Sequence, residues 1–210
     1  GVTGVQTCAL PISSAVSNAV ATAANSRIVL SFAAPSNTGG SAITGYAYRI
    51  RPTGGSFGGD VAFTSGPVTI STLTNGTLYE IEVWAINGRG AGAATTLTAT
   101  PFTTPSAPTL SDGVIGNGQL SYTITAGANN GSAITSYEYR ACGFNTLAGN
   151  ELTDPYANLT CDSSKTGVIA PASTFTISGL ANGTSYRVEL RAVNAAGPSN
   201  YTTFSTLLIP

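Results

Sequence analysis

The sequence predicts an all-β fold made of two tandem β-sandwiches, and three observations carry that prediction. One stretch occurs twice, as LTNGTLYEIEVWAINGRGAG at 73–92 and LANGTSYRVELRAVNAAG at 180–197, 107 residues apart. After each Asn-Gly turn, apolar and polar residues alternate with period two, as in a half-buried strand. Turn residues separate short β-branched runs throughout. A chain of 210 residues with such a repeat is expected to form two domains of about 100 residues each.

The elements of the first domain follow in order from this pattern. A first strand is predicted at 13–22. A second is predicted at 27–32, because Ile28, Leu30 and Phe32 alternate inward before Pro35 ends the run. The next strands are predicted at 43–51, 61–64, 68–73, 79–87 and 93–100, separated by Gly-rich or Asn-Gly turns. Seven strands with frequent turns are typical of a sandwich.

The second domain repeats this order, with strands expected at 109–110, 119–124, 134–140, 174–177, 184–194 and 201–207. NTGGSAITGYAYR at 37–49 matches NNGSAITSYEYR at 129–140 with an offset of 91 rather than 107. The second domain therefore contains an insertion of 107 − 91 = 16 residues. The predicted segments are a leader at 1–12, domain one at 13–101, a Pro-rich linker at 102–106, and domain two at 107–210 with its insertion at about 141–173.

The alternation also predicts which side chains form each core. The expected set combines the inward positions of the second, third and sixth strands: Leu30, Phe32, Tyr46, Tyr48, Tyr79, Ile81 and Val83 in domain one, and Leu120, Tyr122, Tyr137, Tyr139, Tyr186, Val188 and Leu190 in domain two. A register error of one residue would instead bury Glu80 or Arg187.

Composition argues against several classes of function. Only 8% of residues are charged, the formal net charge is −1, and the basic residues form no stripe that could neutralise phosphates, so nucleic-acid binding is not expected. The chain has no His, which removes the usual general base and the commonest metal-binding nitrogen. No apolar run is long enough for a transmembrane helix. We therefore expect no enzyme activity, no cofactor, no metal and no membrane insertion.

The motifs resemble those of fibronectin type III domains, in two copies from residue 13 onward. The resemblance lies in GSAITxY on the third strand, LxNGTxY before the sixth, AxN at its end, and the SAP-containing linker. It implies two immunoglobulin-like, seven-stranded sandwiches of the fibronectin type III kind. One departure is that Phe32 and Tyr122 stand where the family usually has a core Trp. The Asn-, Gly- and Thr-rich style is similar to modules of bacterial or phage surface proteins and of secreted carbohydrate-active enzymes.

The resemblance implies a tyrosine corner in each domain, formed by Leu73 with Tyr79 and by Leu180 with Tyr186. In such a corner the Tyr hydroxyl bonds to backbone where the chain crosses between sheets. A loop that carries an integrin-binding Arg-Gly-Asp in some family members here reads Asn87-Gly88-Arg89. We interpret it as a turn, because Asn and Gly adopt the positive φ that hairpins need.

Trp84 alternates with the core residues and is predicted to lie exposed on the outer face of its sheet. Glu80 and Glu82 share that face, and Arg49 and Arg51 are expected on the adjacent strand. The simpler interpretation is a Trp–Arg–Glu ladder that solubilises the sheet. The alternative is an aromatic platform for a glycan or a partner protein.

We predict a disulfide between Cys142 and Cys161, at the neck of the insertion in domain two. The acidic residues of the insertion are too widely spaced for a Ca²⁺ site. The third cysteine, Cys8, lies in the leader. Residues 1–12 resemble the translation of a short-read sequencing adapter and are excluded from functional argument.

These observations predict a non-catalytic spacer or interaction segment of a larger secreted or cell-surface protein, monomeric within a longer chain. Two alternatives remain open. One is an adhesin-like module that binds protein or glycan, and the other is the accessory region of a polysaccharide-degrading enzyme.

Overall fold

The computed structural model describes residues 12–144, 163–203 and 208–210, and in these ranges it contains strands and turns but no helix. None of the described residues belongs to a helix that could cross a membrane. The chain divides after Phe102 into two compact units, which we call unit 1 (Gly1–Phe102) and unit 2 (Thr103–Pro210).

Unit 1 has a three-stranded sheet in the order β1-β2-β5 and a larger sheet in the order β4-β3-β6-β7, with β8 also paired to β6. All pairs are antiparallel. Strands β7 and β8 are two pieces of one last strand along β6, so the unit has the seven strands predicted. Their bounds are β1 Ser17–Ala24, β2 Arg27–Ala33, β3 Ile43–Pro52, β4 Val61–Phe63, β5 Val68–Ser71, β6 Tyr79–Asn87, β7 Gly90–Ala91 and β8 Thr95–Ala99.

Unit 2 repeats this architecture. Its smaller sheet has the order β13-β10-β9, and its larger sheet has the order β12-β11-β14-β15 with β16 paired to β14. The bounds are β9 Thr109–Gly116, β10 Gln119–Thr125, β11 Ser136–Phe144, β12 Ser163–Ile169, β13 Thr174–Ser178, β14 Ser185–Asn194, β15 Gly197–Pro198 and β16 Thr202–Thr203. Strand β12 and the end of β11 lie inside the segment that was predicted to be an insertion. Residues 145–162 of that segment lie outside the described residues.

The hydrophobic core of each unit lies between its two sheets, as in an immunoglobulin-like β-sandwich. The core prediction is confirmed, since all fourteen expected side chains belong to the two clusters. Eleven are buried, and Phe32, Tyr46 and Tyr139 are half-buried against the same clusters. Glu80 and Arg187 are not buried, so the register of β6 and β14 is the one that the alternation predicts.

One equivalence drawn from the sequence is wrong. Tyr122 lies opposite Phe175 on β13, and the residue that lies opposite the corresponding Val68 of β5 is Leu30, not Phe32. Leu30 and Tyr122 therefore occupy the same core position in the two units. Unit 2 fills it with a larger ring, which stacks on Phe175 with the ring centroids 5.6 Å apart.

This ring makes unit 2 sensitive to alkaline pH. Burial raises the pKa of the Tyr122 phenol, and of the Tyr137 phenol in the same core. Above the ordinary phenol pKa of about 10, the unfolded chain loses these protons while the folded unit keeps them. The stability that is present below that pH therefore falls as pH rises, by up to ~1.4 kcal/mol per pH unit for each proton retained.

We expect Tyr122→Phe to make this decline shallower, as measured by urea unfolding of the whole chain between pH 8 and about 11. Far-UV circular dichroism follows both units. Fluorescence of Trp84, the one Trp of the chain, follows unit 1 alone and serves as the internal control. An equally steep decline in the variant would contradict the assignment to Tyr122.

Candidate functional site

The outer face of the larger sheet in unit 1 carries two Arg–Glu pairs, which we call the charge ladder. Arg49 on β3 lies opposite Glu82 on β6, and Arg51 lies opposite Glu80. Arg49 Nε donates to Glu82 Oε2 at 2.6 Å, and Arg51 Nη2 donates to Glu80 Oε2 at 2.9 Å. The sequence predicted this arrangement. Partly exposed pairs of this kind contribute about 0.2–1 kcal/mol each.

Trp84 lies on this outer face but is buried, with 8% of its surface exposed, so its predicted exposure is wrong. The guanidinium of Arg49 lies 5.8 Å from the centroid of the Trp84 ring and 4.5 Å from that of Phe57, while Arg51 lies 4.1 Å from the Phe57 ring. An indole covered in this way is not an open platform for a sugar ring.

The Gly-rich loop 53–60 carries Phe57 back over the charge ladder. Gly58 N–H donates to Ile50 O at 3.2 Å, and Arg51 Nη1 donates to Gly55 O at the same distance. These bonds extend the β3–β4 hairpin. The loop therefore closes over the outer face. Its Gly-rich sequence has no periodic pattern from which this could have been predicted.

Unit 2 has a charge ladder with a different aromatic partner. Arg191 takes the place of Trp84 and donates from Nε to Glu138 Oε2 at 2.7 Å, while Arg140 pairs with the buried Glu189. The guanidinium groups of Arg140 and Arg191 lie 4.2 and 4.6 Å from the Tyr201 ring centroid. On both faces the Arg–Glu pairs thus form within their own unit.

Each unit has the hydrogen bond expected of a tyrosine corner. The Tyr79 hydroxyl accepts from Thr74 N–H at 3.1 Å, and the Tyr186 hydroxyl accepts from Ala181 N–H at 3.0 Å. Both rings are buried, Leu180 belongs to the core of unit 2, and Leu73 packs against the core of unit 1. The tyrosine fixes the turn through this bond and the strand through its ring.

The Asn of each Asn-Gly turn ties that turn to the β-hairpin between the first two strands of its unit, an arrangement we call the asparagine clamp. Asn75 Oδ1 accepts from Ser26 N–H at 2.9 Å, and Asn75 Nδ2 donates to Asn25 Oδ1 at 2.8 Å. Gly76 follows with a φ of 82°, a conformation that favours Gly. Its N–H donates to Pro101 O at 2.8 Å.

The clamp of unit 2 uses the same atoms. Asn182 Oδ1 accepts from Gly118 N–H, and Asn182 Nδ2 donates to Asn117 Oδ1, both at 2.7 Å. Gly183 N–H donates to Pro210 O at 3.0 Å. From the sequence these asparagines were interpreted only as turn-forming residues. Their repetition in LxNGTxY was nevertheless a signal that both side chains make equivalent contacts.

A second pair of asparagines fixes the loop after β6 and β14. Asn87 is 4% exposed, and its Nδ2 donates to Thr38 O at 2.7 Å while its Oδ1 accepts from Arg89 N–H at 2.8 Å. Gly88 and Arg89 are exposed. In unit 2 the amide of Asn194 donates to Thr103 O at 2.8 Å, and Asn194 Oδ1 accepts from Ala196 N–H. These hydrogen bonds explain why both copies have the AxN motif, since the Asn side chain holds the loop that follows the strand.

The predicted disulfide cannot be followed atom by atom, because Cys161 lies outside the described residues, as does Cys8. Cys142 lies near the end of β11, opposite Ser164, and Ser163 lies opposite Gly143. Residue 161 precedes Ser163 by two positions. The Cys142–Cys161 bridge therefore stays a prediction.

The described surface offers shallow depressions. One of about 300 Å³ beside β4 is lined by residues that include Gly45, Ala62 and Ile86. Another of about 220 Å³ beside β12 is lined by residues that include Thr166, Val168 and Tyr201. These volumes lie at or below the lower limit of ordinary small-molecule pockets. Within the described ranges no group of three metal-binding side chains occurs.

These coordinates define an immunoglobulin-like β-sandwich protein with repeated structural ties. Residues 14–101, essentially unit 1, match the family model of the fibronectin type III domain. Domains of this family are generally non-catalytic structural or binding modules and commonly occur in extracellular or cell-surface proteins. No curated protein sequence matches the chain.

Solved structures with tandem domains of this family are similar. A two-domain fibronectin type III segment of chicken tenascin is 15% identical, with a TM-score of 0.42, covering 93% of this chain and 99% of that one. The FN1-FN3 domains of chicken CNTN1 are 18% identical, with a TM-score of 0.43, covering 95% of this chain and 69% of that one.

We expect Trp84→Ala to destabilise unit 1 by roughly 3 kcal/mol, because it removes a buried indole and leaves a cavity. Thermal unfolding followed by far-UV circular dichroism measures this. Tyr201→Ala provides the contrast in unit 2, where the ring is only half-buried and a smaller loss is expected. A loss below about 1 kcal/mol for Trp84→Ala would show that the indole is not held as described.

Tyr79→Phe and Tyr186→Phe keep the rings but remove the acceptors of two turn N–H groups. Each should cost about 1–3 kcal/mol of unfolding free energy. Tyr46→Phe, in a ring that is half-buried on β3, is the matched control and should cost less. If chemical denaturation gave the same midpoint for all three variants and the parent, the corner bonds would carry no stability.

Proposed function

We propose that this chain is a pair of non-catalytic, extracellular spacer modules in a larger secreted or cell-surface protein. In this proposal unit 2 is a second fibronectin type III domain, since it repeats the sheets, tyrosine corner and clamp of unit 1. A bacterial or phage origin, predicted from the sequence style, is part of the same proposal.

One observation carries the spacer role: the chain on both sides of Phe102 is hydrogen-bonded into a unit. Pro101 O accepts from Gly76 N–H in unit 1. Thr103 N–H donates to Asn130 O at 3.1 Å, and Thr103 O accepts from Asn194 Nδ2. The residues of the predicted 102–106 linker thus lie largely within the hydrogen bonding of unit 2, which leaves few free torsions in the connection. A short connection whose flanking residues are hydrogen-bonded into the units is suited to a spacer, which must hold other domains at a set distance.

The outer faces support the same role. A binding platform needs exposed aromatic or unpaired polar groups, but Trp84 is covered and the ladder charges are paired within each unit. The loop of Asn87 is likewise tied to its own unit. These features disfavour the glycan platform around Trp84, and with it the strongest sequence argument for an adhesin or an enzyme accessory.

The test is the distribution of distances between the units. To measure this distribution in the full chain, the exposed residues Thr22 and Thr174 are each replaced by a noncanonical amino acid that carries a spin label. We expect a narrow distribution that broadens when a flexible Gly-Ser segment is inserted between Phe102 and Thr103. The same insertion between Gly58 and Gly59, within a loop of unit 1, is the control and should change nothing. A parent distribution as broad as that of the linker variant would contradict the proposal.

A further inference from the structure

Five Asn-Gly dipeptides occur in the described residues, and asparagine followed by glycine is prone to deamidation. In such a pair the backbone nitrogen of Gly can attack Cγ of the Asn side chain, since Gly has no Cβ to obstruct the approach. An N–C bond forms, the side-chain nitrogen leaves as ammonia, and the resulting succinimide is opened by water to aspartate or isoaspartate. The five asparagines are Asn75, Asn87, Asn117, Asn130 and Asn182.

At Asn182-Gly183 the native fold occupies every group that this reaction uses. The attacking nitrogen, Gly183 N, donates its proton to Pro210 O at 3.0 Å. The leaving nitrogen, Asn182 Nδ2, donates to Asn117 Oδ1, and the carbonyl oxygen accepts from Gly118 N–H. Attack requires Gly183 N to leave its partner and turn toward Cγ, so the clamp must open first.

Asn75-Gly76 in unit 1 is held in the same way. Its attacking nitrogen donates to Pro101 O, its amide nitrogen donates to Asn25 Oδ1, and its carbonyl oxygen accepts from Ser26 N–H. Two independent copies of one hydrogen-bond pattern thus close two equivalent reactive sites.

We infer that Asn75 and Asn182 are deamidation sites that the native fold closes and that unfolding of their unit opens. Modification there disables the clamp. An aspartate at 182 has no donor for Asn117 Oδ1 and places a carboxylate against that oxygen. An isoaspartate adds one methylene to the backbone and shifts Gly183 N–H relative to Pro210 O. A unit that stays unfolded long enough therefore refolds to a less stable state.

The experiment compares deamidation in the full chain at mildly alkaline pH, with and without concentrated urea, by peptide mapping that separates aspartate from isoaspartate. We expect the rate at Asn75 and Asn182 to be at least about tenfold lower in the native chain. An opening free energy of ~1.4 kcal/mol already gives that factor. Equal rates in native and urea-treated chains would overturn the inference.

Matched variants test the clamp without changing the dipeptides Asn75-Gly76 and Asn182-Gly183. Asn117→Ala removes the acceptor of Asn182 Nδ2 and should raise the native rate at Asn182 but not at Asn75. Asn117→Asp keeps an acceptor and should retain the protection. Asn25→Ala should do the converse, raising the rate at Asn75 alone. Circular dichroism verifies that each variant is folded at the assay temperature. If a folded Asn117→Ala chain deamidated no faster at Asn182, or raised both sites equally, the clamp would not be what closes them.

Discussion

The turn that precedes β6, and its counterpart before β14, is the constraint on which the rest of each unit depends. In unit 1 a run of a few residues makes three ties: Tyr79 to the turn backbone, Asn75 to the hairpin between β1 and β2, and Gly76 to the end of the unit at Pro101. The two sheets of a sandwich share no ladder of backbone hydrogen bonds across the core, so segments that cross between them must be fixed by hydrogen bonds outside the strand ladders. This turn supplies that fixing, and its recurrence in unit 2 with the same atoms shows that the pattern belongs to the sequence LxNGTxY.

A second constraint comes from charge. Four of the eight basic residues, including Arg49 and Arg51, face a glutamate of the neighbouring strand in the same unit. Side chains of Phe57 and Tyr201 then lie against the guanidinium groups. The ladders therefore leave little unpaired charge on the faces of the larger sheets. Surfaces of this kind exert weak long-range attraction on charged partners, which is consistent with a spacer rather than a steered binding module.

Much of this architecture could be predicted because strands that are buried on one face show period-two alternation. That signal located β2, β3, β6 and their counterparts, and it placed Arg49 and Arg51 on the strand beside Glu80 and Glu82, without specifying which Arg faces which Glu. Repetition added the equivalence of the two turns. The asparagine bonds to Ser26 and Gly118 were not predictable, since nothing in a local pattern says which distant backbone group a side chain reaches.

Other elements escaped prediction for identifiable reasons. The first strands β1 and β9 contain register shifts near Asn18 and Asp112, which have φ values of 50° and 55°, and such bulges interrupt the alternation. Strand β12 is an edge strand in which Gly167 and Thr166 give no apolar period. The facing of Trp84 was correct but its exposure was not, because alternation shows which face a side chain is on and not what lies over that face.

Amide hydrogen exchange at Gly76 and Gly183 tests the central claim most directly. Both N–H groups lie in turns near the surface, where an amide without a strong partner exchanges fast. If the turn ties the hairpin, the tyrosine and the chain end together, both amides should exchange at rates close to those of core strand amides in β6 and β14. Exchange near the rate of an unstructured peptide at either position would contradict the account.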